Sequence, residues 1–138
     1  MFDLSGDFGA RVARRLDQEI VIWLTTVRAD GTPQPSPVWY LWANQELLIY
    51  SKPNTPKLRN IGQNPRVSLH FDSDGRGGDI AIVAGTARID EQAPSVLEVG
   101  AYLEKYREHI ARITMTPESF ARAYSTAIRV TPTALRGF

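Results

Sequence analysis

The chain has 138 residues, of which 43% are hydrophobic and 22% charged, with 16 basic and 15 acidic side chains. This length and composition predict one globular domain over residues 1–138 and exclude disordered and fibrous classes, while the near-zero net charge gives no reason to expect nucleic acid or an anionic membrane as a partner. The absence of cysteine excludes a disulfide framework, and neither histidine has a neighbour at ligand spacing, so we expect no metal site.

The N-terminus gives no sign of export. Residues 1–7 lack the basic region and the apolar run of a signal peptide. No stretch of the chain approaches the apolar length of a membrane span. We therefore expect a soluble, cytoplasmic protein.

The first part of the chain predicts a helix and a β-hairpin. Apolar residues recur at helical spacing in residues 7–17, with arginines on the other faces, which we expect to be solvated. Residues 19–28 are rich in β-branched and aromatic side chains and predict a strand buried on both faces. The sequence Asp30-Gly31 then supplies the turn.

The strand that returns from this turn has prolines at positions 33, 35 and 37, ahead of an apolar run over residues 38–42. Proline cannot donate to a β-ladder, so this half must lie at the edge of the sheet or leave it. Two explanations stay open: an edge protected against aggregation, or a backbone held open toward a ligand. Residues 43–45 turn the chain into a third strand over residues 47–50, which completes an antiparallel meander.

The segment from Leu47 to Phe71 is cationic, because it holds four lysines and arginines and no carboxylate. Residues 57–61 predict a helix of barely more than one turn, which begins beside Ser51, Lys52 and Thr55. Backbone N–H groups at a helix N-terminus and lysine side chains both favour an anion. The segment therefore predicts a phosphate-binding site, with a general anion patch as the alternative.

The second half predicts further strands and a helical insert before the last strand. Strands are expected at residues 66–71, 80–89 and from 126 onward, a loop at residues 72–79, and helices beginning at Ser95 and after Thr116. The loop matches neither a calcium-binding nor a dinucleotide-binding motif. The total is six strands, mostly antiparallel neighbours, which suggests a small closed barrel.

Three motifs follow one another in this chain: Pro37-Val38-Trp39-Tyr40, then Tyr50-Ser51-Lys52 with Lys57 five residues on, then Asn64-Pro65-Arg66-Val67-Ser68. Together they resemble the pyridoxamine 5′-phosphate oxidase-like split β-barrel proteins, and more closely the branch of coenzyme F420-dependent oxidoreductases. The resemblance covers nearly the whole chain. It implies a mainly β fold with a helical insert, a six-stranded antiparallel split β-barrel, and a homodimer that binds two cofactors in clefts between its subunits.

The resemblance also implies which residues hold the cofactor. The strand at Pro37 to Tyr40 would lie along the tricyclic ring, and the segment from Tyr50 to Lys57 would hold the phosphate. The implied cofactor-binding residues are Pro37, Val38, Trp39, Tyr50, Ser51, Lys52, Lys57 and Asn60. FMN-using oxidases of this superfamily commonly place an arginine directly before the lysine that corresponds to Lys57, whereas this chain has Pro56. The substitution weakens the case for FMN, because it removes a bidentate phosphate ligand.

The sequence contains no set of nucleophile, base and orienting residue, so we assign no catalytic side chain and expect a cofactor to carry the chemistry. Tyr40, Tyr50 and His70 are candidate proton donors. The expected function is an oxidoreductase that uses reduced F420 to transfer hydride to a small organic substrate such as an enone or a quinone. An FMN-binding oxidoreductase and a non-catalytic cofactor-binding or storage protein stay open as alternatives.

Overall fold

Seven strands form one antiparallel sheet in the computed structural model, which describes residues 1–138. The strands are β1 (Ile22–Val27), β2 (Pro33–Val38), β3 (Leu41–Ala43), β4 (Glu46–Ser51), β5 (Arg66–His70), β6 (Ala81–Ile89) and β7 (Thr126–Gly137). Their order across the sheet is β2-β1-β5-β6-β7-β4-β3. The helices are α1 (Gly6–Gln18), α2 (Pro56–Gln63), α3 (Gly100–Arg112) and α4 (Pro117–Ala123), with a 3₁₀ turn at Val96–Glu98.

The prediction of six strands in a closed barrel is wrong, because the expected second strand divides at Trp39 and Tyr40. Its first part, β2, pairs with β1, and its second part, β3, pairs with β4. The predicted meander is therefore two separate hairpins. β2 and β3 are the two edges of the sheet, joined through Trp39 and Tyr40 and not by ladder hydrogen bonds. The result is a half-barrel that is mostly antiparallel β.

The Tyr106 hydroxyl on α3 explains why the strand divides at Tyr40. It accepts a hydrogen bond from the Tyr40 N–H at 2.8 Å and donates to the Ile20 carbonyl at 2.7 Å, with the Tyr40 carbonyl 3.0 Å away. A hydroxyl has one hydrogen, so the Tyr40 carbonyl needs a second donor. Lys105 Nζ provides it at 2.9 Å. Both backbone polar groups of Tyr40 are thus satisfied by α3, and no neighbouring strand is needed.

Two apolar clusters pack on opposite faces of the sheet, and β4 belongs to both. Leu47 and Ile49 lie in the larger cluster, which includes residues of α1 and α2. Leu48 and Tyr50 lie in the smaller cluster beneath α3 and α4. Alternate side chains of a strand point to opposite faces, so a strand covered on both sides must be apolar throughout. This burial fixes the position at which β4 ends, and therefore the position of Ser51 and the residues that follow.

The helix predicted over residues 7–17 is confirmed as α1, but its basic face is not simply solvated. The Arg15 side chain is only 12% exposed. Its guanidinium donates to the carbonyls of Asp79 and Asp72, each at 2.8 Å, and lies over the Phe71 ring. Arg15 therefore ties the loop between β5 and β6 to α1.

The first helix of the insert begins later in the chain than the sequence pattern predicts. Ser95 caps only a 3₁₀ turn, where its Oγ accepts from the Leu97 N–H, and α3 begins afterwards at Gly100. The cap predicted at Thr116 is confirmed, because its side chain accepts from the Ser119 N–H in a reciprocal capping box. No helix of the structure is long and apolar enough to cross a bilayer.

Replacing Tyr106 by phenylalanine should lower the free energy of unfolding by about 2–4 kcal/mol, because the Tyr40 N–H and the Ile20 carbonyl both lose their partner. Urea denaturation measures this change. Tyr124→Phe is the matched control, since the Tyr124 hydroxyl makes no hydrogen bond and the residue is partly exposed. That variant should stay within about 0.5 kcal/mol of the wild type. Equal stability of the two variants would contradict the role given to Tyr106.

Candidate functional site

A cleft of about 460 Å³ opens next to the break between β2 and β3. The ends of β2 and β4, the segment leading into α2, and parts of α3 and α4 form its wall. The lining residues are Pro37, Val38, Trp39, Tyr50, Ser51, Lys52, Thr55, Lys57, Tyr102, Ile113, Phe120 and Tyr124. Its volume is typical of pockets that bind small molecules or cofactors.

Seven of the eight residues predicted to contact a cofactor line this cleft. Three belong to the end of β2 and the break, and four to the end of β4 and the start of α2: Pro37, Val38, Trp39, Tyr50, Ser51, Lys52 and Lys57. The structure therefore brings together the two segments that the sequence motifs singled out. Their contact with a cofactor stays a prediction.

Asn60 is the exception, because it does not line the cleft. Its side chain is buried, and its amide donates to Thr26 Oγ1 at 2.9 Å and to Gln34 Oε1 at 2.8 Å. These bonds connect α2 to β1 and β2 beneath the cleft. In this structure Asn60 positions the helix that carries Lys57.

Two lysines and no carboxylate line the cationic end of the cleft. Lys57 is half-buried, and neither Lys52 nor Lys57 forms a salt bridge. Burial lowers the pKa of Lys57 below its ordinary value. An ammonium group that has lost water and gained no counter-ion is costly for the folded state. An anion in the cleft would remove that cost.

The N-terminus of α2 is also free to bind an anion. Its N-cap residue, Thr55, makes no side-chain capping bond, because the Thr55 hydroxyl pairs with Ser51 Oγ at 3.1 Å. Pro56 has no N–H, so Lys57 supplies the first N–H of the helix, and this group makes no hydrogen bond within the protein. The first turn holds no acidic residue. The positive end of the helix dipole therefore adds to the charge of Lys57.

Aromatic rings form the rest of the wall. The Trp39 ring stacks on Phe120 with centroids 5.6 Å apart, and Phe120 stacks on Tyr124 at 4.3 Å. Trp39 also stacks on Tyr106 at 4.8 Å, which links this wall to the hydroxyl that divides the strand. Lys52 Nζ lies 5.6 Å from the centre of the Tyr124 ring, so the cationic and aromatic parts adjoin. The cleft thus suits a flat conjugated molecule that carries an anionic group.

The sequence alone did not identify which residues of the helical insert line the cleft. They are Tyr102, Ile113, Phe120 and Tyr124. The pattern after Thr116 predicted helix positions for Phe120 and Tyr124, but such a pattern does not tell which other element a helix packs against. In the structure, two of these residues have unusual surroundings. Ile113 is an apolar residue that is 44% exposed, and the Tyr102 hydroxyl is buried without a hydrogen-bond partner.

Of the three candidate proton donors, only Tyr50 lines the cleft. Its hydroxyl donates to the Pro94 carbonyl at 2.8 Å, and burial raises its pKa. The Tyr40 hydroxyl donates to the Arg15 carbonyl at 3.1 Å, and the His70 ring stacks near Trp23. No group of three or more His, Cys, Asp or Glu side chains could hold a metal ion.

Comparison with known proteins agrees with the resemblance in the sequence motifs. The family model described as pyridoxamine 5′-phosphate oxidase matches residues 8–138. A solved structure of an F420 reductase is 27% identical, with a TM-score of 0.66, and the alignment covers 89% of this chain and 94% of that one.

Two more distant structures share the fold. A conserved hypothetical protein from Mycobacterium tuberculosis is 23% identical with a TM-score of 0.70, over 92% of this chain and 81% of that one. The heme storage protein HutZ from Vibrio cholerae is 14% identical with a TM-score of 0.65, over 96% and 95%. Proteins of different function therefore share this architecture.

Replacing Lys57 by methionine should stabilise the protein without ligand, because it removes a desolvated charge and keeps the apolar stem. The lowered pKa means that the charged form is disfavoured in the folded state. The cost is complete below the folded-state pKa and disappears as the pH rises through that value toward 10.5, where the unfolded chain also loses its proton.

Urea denaturation at neutral and at alkaline pH tests this expectation. The gain from Lys57→Met should be present at neutral pH and shrink at alkaline pH. Lys52→Met is the matched control and should change stability little at either pH, because Lys52 is exposed. A loss of stability on replacing Lys57 at neutral pH would show that its charge is already compensated within the protein.

Proposed function

Because the chain belongs to the pyridoxamine 5′-phosphate oxidase family, we propose that it is an oxidoreductase that uses reduced coenzyme F420, bound in this cleft, to reduce a small organic substrate. The observation that carries the proposal is the partnerless Lys57 beside the free N–H of α2. This cationic end adjoins a wall of stacked rings. A phosphate joined to a tricyclic ring matches both parts.

F420 is preferred over FMN for two reasons. The F420 reductase is similar to this chain over most of both lengths, at 27% identity. Pro56 also stands where an arginine would give a second, bidentate phosphate ligand. With Pro56, phosphate recognition falls to Lys57 and the nearby Lys52, one backbone N–H and the helix dipole, and this set lacks the bidentate donor that an FMN oxidase would be expected to keep.

The residues of this chain would bind and orient, and the cofactor would supply hydride. Lys57 and its N–H would hold the phosphate, with Lys52 close by. Trp39, Phe120 and Tyr124 would flank the ring and exclude water from it. Exclusion of water strengthens the electrostatic contacts inside the cleft. No side chain is assigned a proton transfer, because the Tyr50 hydroxyl is already bonded to Pro94.

The proposal includes a homodimer whose second subunit covers the cleft. β2 is a free edge, and its prolines at 33, 35 and 37 are exposed. Proline prevents this edge from adding another strand, so a neighbour would have to contact it through side chains. Because Pro37 lies both on this edge and in the cleft wall, a subunit placed there would also reach the cofactor.

An FMN-binding oxidoreductase is the second candidate. The match to the oxidase family over residues 8–138 favours it, and the cationic end would accept the phosphate of FMN as well. Storage of haem, the role of HutZ, has less support here. No His, Cys or Met lines the cleft, so tyrosine is the only axial ligand type that the cleft itself offers.

Titration with F420 and with FMN tests the cofactor assignment. F420 should bind the wild type more tightly, and Lys57→Ala should weaken its binding about ten- to a hundredfold, because it removes a charge-assisted hydrogen bond. Lys52→Ala should act in the same direction but less strongly. Arg59→Ala is the matched control, because Arg59 is exposed, lies outside the cleft and only donates to the Asn54 carbonyl.

The dependence of F420 affinity on salt concentration distinguishes an electrostatic contact with Lys57 from apolar packing. Raising the ionic strength should weaken binding to the wild type and reduce its difference from Lys57→Ala. Binding of FMN without binding of F420 would remove the F420 assignment. Equal affinity of Lys57→Ala and the wild type would remove Lys57 from the site.

Light scattering tests the dimer. At micromolar concentration the protein should have twice the 15.4 kDa mass of the chain, with or without F420. A monomer under both conditions would contradict a cleft shared between subunits. A monomer that dimerises only with F420 would place the cofactor at the interface.

A further inference from the structure

Two buried polar side-chain atoms of this protein have no hydrogen-bond partner, and one of them belongs to a residue that lines the cleft. They are the Tyr102 hydroxyl and His109 Nδ1. Tyr102 lines the cleft and His109 does not. Nearly all buried polar groups of native proteins are paired, so an unpaired hydroxyl at a binding site requires an explanation.

The neighbour one helical turn away shows how different this hydroxyl is. Tyr106 and Tyr102 are both 0% exposed and both lie on α3. The Tyr106 hydroxyl bonds with two backbone groups, at Ile20 and Tyr40. Tyr102 is surrounded by rings, with Tyr50 edge-to-face at 5.1 Å and Phe120 at 6.3 Å. The nearby Tyr50 hydroxyl is directed to the Pro94 carbonyl.

The chemistry of the buried Tyr102 phenol determines which ligand group could serve as its hydrogen-bond partner. Burial raises the pKa of Tyr102 well above its usual range, so the group is a neutral donor at physiological pH. Its ring surroundings favour a flat conjugated body, and its hydrogen requires an acceptor on that body. Water is a poor alternative, because a buried water needs two or more polar partners.

We propose that Tyr102 is a specificity-determining residue that donates a hydrogen bond to a carbonyl oxygen of a flat, conjugated molecule in the cleft. The inference deepens the proposed function and rests on it for the identity of that molecule. The carbonyl could belong to the ring of the cofactor or to an enone or quinone substrate. Their shared feature is an oxygen acceptor conjugated with a planar system.

Tyr102→Phe tests the proposal, because it removes only the hydroxyl. In the absence of ligand this variant should be at least as stable as the wild type, since the hydroxyl has no partner to lose. Its affinity for a carbonyl ligand should fall about fivefold to tenfold. Tyr106→Phe is the matched control from the same helix, and it should lose stability instead.

Four probes distinguish the source of the carbonyl. F420 and riboflavin present ring carbonyls with and without a phosphate, menadione presents a quinone, and 2-methylnaphthalene has the carbon skeleton of menadione without its oxygens. Binding of each to wild type and Tyr102→Phe is followed by quenching of tryptophan fluorescence, since Trp39 lies in the wall. Weaker binding of F420 and riboflavin alone would assign the bond to the cofactor. Weaker binding of menadione would assign it to the substrate.

The outcomes separate this inference from the F420 assignment. If the wild type does not bind F420 but menadione binding depends on Tyr102, the cofactor assignment fails and the role of Tyr102 holds. The role of Tyr102 is overturned if the two proteins bind every carbonyl probe equally, or if no probe binds the wild type. It is also overturned if Tyr102→Phe weakens 2-methylnaphthalene as much as menadione, because the variant would then have changed the shape of the cleft.

Discussion

The hydroxyl of Tyr106 is the contact on which the cleft depends. It bonds with the backbone groups of Ile20 and Tyr40, and so fixes the point at which one long strand becomes two edges of the sheet. The same residue supplies the ring on which Trp39 stacks. The break in the sheet and the position of Trp39 in the aromatic wall therefore both depend on this side chain of α3, with Lys105 completing the bonds of Tyr40. The half-barrel opens there because the backbone of Tyr40 finds its partners on a helix.

The cleft concentrates groups that the fold leaves incomplete. Lys57 is desolvated without a counter-ion, the first N–H of α2 has no acceptor, and the Tyr102 hydroxyl has no partner. The desolvated charge of Lys57 and the unpaired Tyr102 hydroxyl each lower the stability of the free protein, while the surrounding core is apolar. Departures from consistent packing and pairing are expected where a protein binds something. The Lys57 ammonium and the first N–H of α2 suit an anion, whereas the Tyr102 hydroxyl suits a neutral acceptor. A ligand with an anionic end and a ring that carries a carbonyl oxygen would satisfy all three groups.

Sequence patterns correctly predicted the structural features that depend on neighbouring residues in the chain. The continuous apolar run of β4, the helix α1 and the cap at Thr116 follow from periodicity and capping, and the carboxylate-free segment marked the cationic end. The division of the second strand was not predictable in this way, because its cause is Tyr106, 66 residues from Tyr40. The resemblance implied that Asn60 contacts the cofactor, and the structure shows its amide bonded to Thr26 and Gln34, so that its contact with a cofactor stays a prediction. Contacts between residues far apart in the sequence determined where the strand divides.

A crystal structure of the protein with F420 bound would test the proposed cofactor site most directly. We expect the phosphate within hydrogen-bond distance of Lys57 Nζ and of the Lys57 N–H, with the ring against the wall formed by Trp39, Phe120 and Tyr124. A phosphate bound outside the N-terminus of α2, or a ring that does not touch this wall, would contradict it.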